Sequence, residues 1–146
     1  MSEHFFLVPV NYFAILICAV VSMLLGYLWY GPLFGKKWEN LVGLTAEKKK
    51  KAKKTMPQKY LIMFISSLVM AYILFHFIWY AAPGSVTLFK SLKVAIYSWL
   101  GFIATFSLSK FLFSTENQVK SLLFIETGFY LVDLILISVI IFMFLQ

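Results

Sequence analysis

At 146 residues the chain has the length of one domain, and 62% of it is apolar against 13% charged, with a mean hydropathy of +0.87. A soluble domain is about half apolar and about a quarter charged, so this composition excludes an ordinary water-soluble fold and points to a bilayer as the solvent. All thirteen basic residues are lysine, which excludes bidentate guanidinium clamps, and the sole cysteine, Cys18, excludes an internal disulfide, a CxxC pair and a cysteine metal cluster.

The first apolar run covers about 5–30 and carries no charge after His4. It starts near Glu3 and stays apolar for longer than a signal peptide does, so it reads as a retained transmembrane helix with Pro9 in its first turns. Ala14, Cys18, Ser22 and Gly26 recur every four residues and line one helix face. Small residues at that spacing let two backbones approach closely in lipid. Cys18 has no basic neighbour in sequence and reads as packing.

The run ends in Trp29-Tyr30-Gly31-Pro32-Leu33-Phe34-Gly35-Lys36-Lys37-Trp38. Trp29, Tyr30 and Trp38 are aromatic residues of the kind that sit at headgroup depth, and Gly31, Pro32 and Gly35 bend the chain along the membrane. Leu33, Phe34, Trp38, Leu41 and Val42 share one side of a short helix, the pattern of an interfacial amphipathic segment. The expectation for this stretch is an exposed anchor; a position closed over the fourth span would instead mark a plug or gate. Thr45 can cap a further segment with Glu47 in its first turn. Lys48, Lys49, Lys50, Lys51, Lys53 and Lys54 then form a solvated run within the loop 31–57. Tethered between two spans, this block reads as an attachment to anionic headgroups, about 1 kcal/mol for each lysine, and not as a nucleic-acid site.

The second span is expected over 58–80 and ends in Trp79-Tyr80, an echo of Trp29-Tyr30. Pro83-Gly84 makes the next turn. The third span covers 88–113, with Lys90 and Lys93 placed to snorkel at its start and Gly101, Thr105 and Ser109 forming a second small-residue face. A polar connection around Gln118 leads to the fourth span, 122–145. The fold expected is all-α: a four-helix transmembrane bundle with a short interfacial helix and a lysine-rich loop between spans 1 and 2. Gathering most of the lysines on one side makes that side cytoplasmic and leaves both termini outside.

Four polar groups fall inside the spans. Glu126 and Asp133 are seven residues apart and share a helix face about 10.5 Å long. Each costs roughly 2.5–3.5 kcal/mol on insertion scales, which the surrounding Leu, Ile, Val and Phe offset. Lys110 and Glu126 lie equally far from the centre of the last hairpin, so an ion pair between them is expected. Asp133, near the midplane, in its protonated form can donate to Ser or Thr on a neighbouring helix. With His76 nearer the outer side, Lys110, Glu126, Asp133 and His76 are ranked by depth; they are either separately satisfied structural groups or a water-bridged proton or cation path. No catalytic motif is present, the Glu3–His4 pair is too small for a metal site, and no cofactor or metal is expected.

The segment Leu25–Trp38 resembles the signature of the bacterial membrane family known as domain of unknown function 1761, and Trp99-Leu-Gly-Phe-Ile103 and Gly128-Phe-Tyr-Leu-Val132 resemble its later motifs. The resemblance implies a four-span inner-membrane protein of a family with no established activity. It also implies that Glu126 and Asp133 are specialisations of this chain, because an amide or small polar residue is usual at the first position and Asp133 is not typical. The function expected is structural or accessory, through self-association or packing on a membrane partner. The alternative is an oligomeric proton- or cation-coupled transporter or channel using Glu126 and Asp133. A membrane-embedded enzyme is disfavoured by the lack of arginine and of any nucleophile–base pair.

Overall fold

The computed structural model describes residues 8–114 and 119–146. The expectations placed on the Glu3–His4 pair, on the opening of the first run and on 115–118 of the last connection lie outside the described residues.

The first helix, α1 (Tyr12–Leu28), begins where Asn11 supplies a cap, its side chain accepting from the Ala14 amide at 3.1 Å. Pro9 therefore precedes the helix and does not sit in its first turns. The helix continues through a π-helical turn, π1 (Trp29–Leu33), closed by Phe34 N–H donating to the Trp29 carbonyl at 2.9 Å. Gly31 and Pro32 are thus inside the helical rod, and the bend falls at Phe34. Gly35 is essential to that bend, since a Cβ there would lie 2.6 Å from the Tyr30 carbonyl oxygen.

Two short helices follow, α2 (Gly35–Leu41) and α3 (Ala46–Lys53). Thr45 caps α3 as expected, accepting from Lys48 N–H at 3.3 Å. Helix α4 (Met56–Ala81) is the second span. Gly84 takes a φ of +83° in the turn after it, a conformation that favours glycine. The third span is not one regular helix. It runs as α5 (Leu88–Ser98), a second π-helical segment, π2 (Trp99–Ala104), and α6 (Thr105–Leu112). Helix α7 (Lys120–Phe144) is the fourth span. Four helical rods are long and apolar enough to cross a membrane: Tyr12–Leu33, Met56–Ala81, Leu88–Leu112 and Lys120–Phe144. The described residues contain no strand, so the all-α four-span architecture stands.

Helix α1 packs on α4 and α7, α5 packs on α4 and α7, and α4 reaches α7 across the middle. The main core lies toward the end away from the lysines. There Ile15 and Cys18 of α1 meet Phe75 and Ile78 of α4, Ala95 of α5, and Ile137 and Ile141 of α7. Ala14, Cys18, Ser22 and Gly26 are all buried, so the first small-residue stripe is the inner face of α1. The second stripe has the opposite fate. Gly101, Thr105 and Ser109 are all exposed, and the Thr105 and Ser109 hydroxyls return to carbonyls of their own rod at 2.7 and 3.0 Å.

Candidate functional site

The face of α7 that carries Glu126 and Asp133 is covered by α1 and by the Trp29–Trp38 stretch. At its centre Asp133 is fully buried and accepts a hydrogen bond from the Ser22 hydroxyl at 2.6 Å. Its second oxygen, Oδ2, is buried with no hydrogen-bond partner among the described residues. Cys18, one turn from Ser22, directs its sulfur toward the Ile137 carbonyl at 3.9 Å, a weak contact that serves packing. Asp133 does meet a hydroxyl on a neighbouring helix, but in the direction opposite to the expectation: Ser22 donates and Asp133 accepts.

Two indoles grip α7 toward its lysine-rich end. Trp29 Nε1 donates to the Ile125 carbonyl at 3.0 Å, and Trp99 Nε1 donates to the Thr127 carbonyl at 2.8 Å. Each tryptophan opens a π-helical segment and each is followed at the second position by glycine. A π turn changes the angle at which following side chains leave the rod, and such turns recur at functional sites. Gly128 completes the grip: a Cβ on it would stand 3.4 Å from the Trp29 ring.

Around Trp29 the rings form one contiguous cluster. Trp29 lies 4.8 Å from Phe34 and 6.2 Å from Phe129, centroid to centroid. Tyr30 lies 5.5 Å from Trp38 and 5.4 Å from Phe129, and Phe129 lies 5.1 Å from Tyr130. These separations suit edge and tilted packing. The Trp29–Trp38 stretch is therefore not a simple exposed anchor. Gly31, Pro32 and Leu33 face outward, but Trp29, Tyr30, Phe34 and Trp38 are half-buried and Gly35 is buried. The indole N–H of Trp29 is spent on α7 and not on a headgroup.

Glu126 is half-buried in α7, one helical turn before Tyr130 on the same face. The ion pair expected between Glu126 and Lys110 is not formed. Lys110 is exposed on α6, and the ion pairs among the described residues are Lys49–Glu39 at 2.6 Å and Lys51–Glu47 at 3.2 Å. Equal distance from the hairpin centre sets the depth of the two side chains but not the direction in which each leaves its helix, and Lys110 leaves α6 toward the outside. His76 belongs to another neighbourhood, with Nδ1 2.8 Å from the Tyr72 carbonyl and its ring between those of Tyr72 and Tyr80. The four intramembrane groups are therefore not assembled into one site; Glu126 and Asp133 share a face, while Lys110 and His76 stand apart.

The lysine block occupies α3 and its end and is exposed. Lys48 Nζ caps the Gly43 carbonyl at 3.2 Å, so part of the block folds its own loop. No group of three or more His, Cys, Asp or Glu able to hold a metal occurs among the described residues. Sequence reasoning missed Ser22 as the Asp133 donor, Trp99 as a clamp, and Phe129 and Tyr130 as the floor of the ring cluster. The shared Trp-x-Gly of residues 29–31 and 99–101 was the available signal for the paired clamps.

Residues 13–142 match the family model described as Protein of unknown function (DUF1761), and the chain belongs to that family. No curated protein and no solved structure matches it.

Proposed function

We propose that this chain is a small, non-catalytic accessory protein of the bacterial inner membrane that self-associates through its third span. The observation that carries this reading is the outward position of Gly101, Thr105 and Ser109. The third rod is also the least enclosed of the four, with 11% of its most apolar window buried against 39% for α7. A small-residue face whose hydroxyls are already bonded internally is smooth and apolar, the surface on which helices pack closely in lipid. In this reading the lysine-rich loop is cytoplasmic, both termini are outside, and the exposed lysines of α3 rest on anionic headgroups.

Cysteine crosslinking in membranes, with Gly101→Cys in a Cys18→Ser background, tests the interface. A disulfide-linked pair is expected, and Thr105→Leu should abolish it. A strictly monomeric, partnerless protein overturns the reading. Labelling of Gln146→Cys from the outer face tests the orientation, and protection in intact cells would reverse it.

A second reading, a proton- or cation-coupled carrier, is favoured by one observation: the buried Asp133 with a carboxyl oxygen that has no partner among the described residues. Liposome flux with a pH-sensitive dye separates the two readings. Equal flux in wild type and Asp133→Asn removes the basis for the carrier.

A further inference from the structure

Glu126 is half-buried in a membrane-spanning helix and has neither an ion pair nor a hydrogen bond among the described residues. Intramembrane carboxylates are costly and as a rule face a partner. Its surroundings define what that partner is. Tyr130 follows Glu126 by four residues and so shares its face of α7, and the ring surface continues from Tyr130 through Phe129 and Tyr30 to Trp38. Aromatic faces beside a carboxylate attract an organic ammonium, by the ring quadrupole and by direct charge pairing.

The depth selects the source of that ammonium. Helix α7 has 25 residues, about 37 Å at 1.5 Å each, against a hydrocarbon thickness of about 30 Å. Glu126 lies six residues after Lys120, about 9 Å along the axis and a few ångströms inside the hydrocarbon boundary. Side chains on a helix lean toward its N-terminus, which for α7 is the lysine-rich end. The carboxylate thus leans back toward the headgroup layer. At the same end Lys36 and Lys37 are exposed on α2, and Lys120 is exposed at the start of α7. Negative and aromatic groups just below a ring of positive ones match a headgroup with an ammonium and a phosphate.

We propose that Glu126, Tyr30, Tyr130 and Trp38 form a binding site for the ammonium of a phosphoethanolamine-type lipid headgroup, with Lys36, Lys37 and Lys120 facing its phosphate. The site uses the Trp29–Trp38 stretch as one wall and α7 as the other, which gives the folding of that stretch onto α7 a ligand-binding consequence. It is separate from the Asp133–Ser22 pair and from the third-span face.

The test is lipid retention by the intact protein. Protein reconstituted in vesicles of equal parts phosphatidylethanolamine and phosphatidylglycerol, with matched acyl chains, is extracted and its bound lipid measured by native mass spectrometry. Wild type should retain phosphatidylethanolamine with about tenfold enrichment, and Glu126→Gln should fall to near parity while Glu39→Gln keeps the preference. Equal retention by wild type and Glu126→Gln overturns the proposal, as does a preference for phosphatidylglycerol or no retained lipid. Free ethanolamine bound by detergent-purified protein without lipid enrichment assigns the site to a soluble amine and also overturns it. Should Glu126→Gln fail to fold, as judged by circular dichroism, Tyr130→Leu and Tyr130→Phe decide. Loss of enrichment only in Tyr130→Leu supports the site, and equal enrichment in both removes it.

Discussion

Replacing Ser22 by alanine removes a single hydroxyl from the middle of the bundle. That hydroxyl is the hydrogen-bond donor to Asp133, whose side chain is fully buried and whose other oxygen has no partner among the described residues. A hydrogen bond between transmembrane helices is worth on average ~0.6 kcal/mol, with a maximum of about 1.7. Orphaning a buried polar group costs more, about 1–3 kcal/mol. The second effect wins here, because Asp133 is fully buried. Ser22→Ala should therefore destabilise by about 1–3 kcal/mol. Asp133→Leu should be close to neutral, since it removes the buried polar group itself and leaves Ser22 free to bond a carbonyl of its own helix. Adding Ser22→Ala in the Asp133→Leu background should then cost less than about 0.5 kcal/mol. Sodium dodecyl sulfate titration in mixed micelles, followed by tryptophan fluorescence and by helicity, measures all four proteins. An equal penalty for Ser22→Ala in both backgrounds would refute the argument, because the cost would then belong to helix packing and not to the carboxyl.

Three further outcomes follow from the geometry. Gly35→Ala places a Cβ against the Tyr30 carbonyl at 2.6 Å, whereas nothing lies within 4 Å of a Cβ on Gly31. The first substitution should lower stability by about 1–3 kcal/mol and the second by less than about 0.5, a contrast readable in the same titration. Trp29→Phe and Trp99→Phe each delete one indole bond to α7 and keep an aromatic ring, so each should cost about 0.5–1.5 kcal/mol. Their carbonyl acceptors keep a second bonding site within the helix, which holds the loss to that range. Glu39→Ala breaks a pair whose side chains are 34% and 44% exposed; the titration midpoint should move by no more than about 1 kcal/mol, and a larger shift would give the α2–α3 loop a stabilising role.

Chain-local features were legible in the sequence because they are set by neighbours a few residues away. Four apolar runs, the Thr45 cap, the Pro83-Gly84 turn and the inner face of α1 all follow from composition, spacing and backbone chemistry. The two small-residue stripes were equally visible, yet one is interior and the other exterior. Periodicity says that a face exists; it does not say which helix, if any, covers it.

The sequence by itself determined that this is an all-α membrane bundle of four spans with a lysine-rich connection, since a bilayer admits no other use for four such apolar runs. Only the tertiary structure decided what the Trp29–Trp38 stretch does. Its aromatic residues read equally well as headgroup anchors until the Trp29 indole is seen to end on the Ile125 carbonyl. Only the tertiary structure separated Lys110 from Glu126 and joined Ser22 to Asp133. The reason is common to all three: rotation about a helix axis, and with it which side chains meet, is fixed by contacts between segments far apart in the chain.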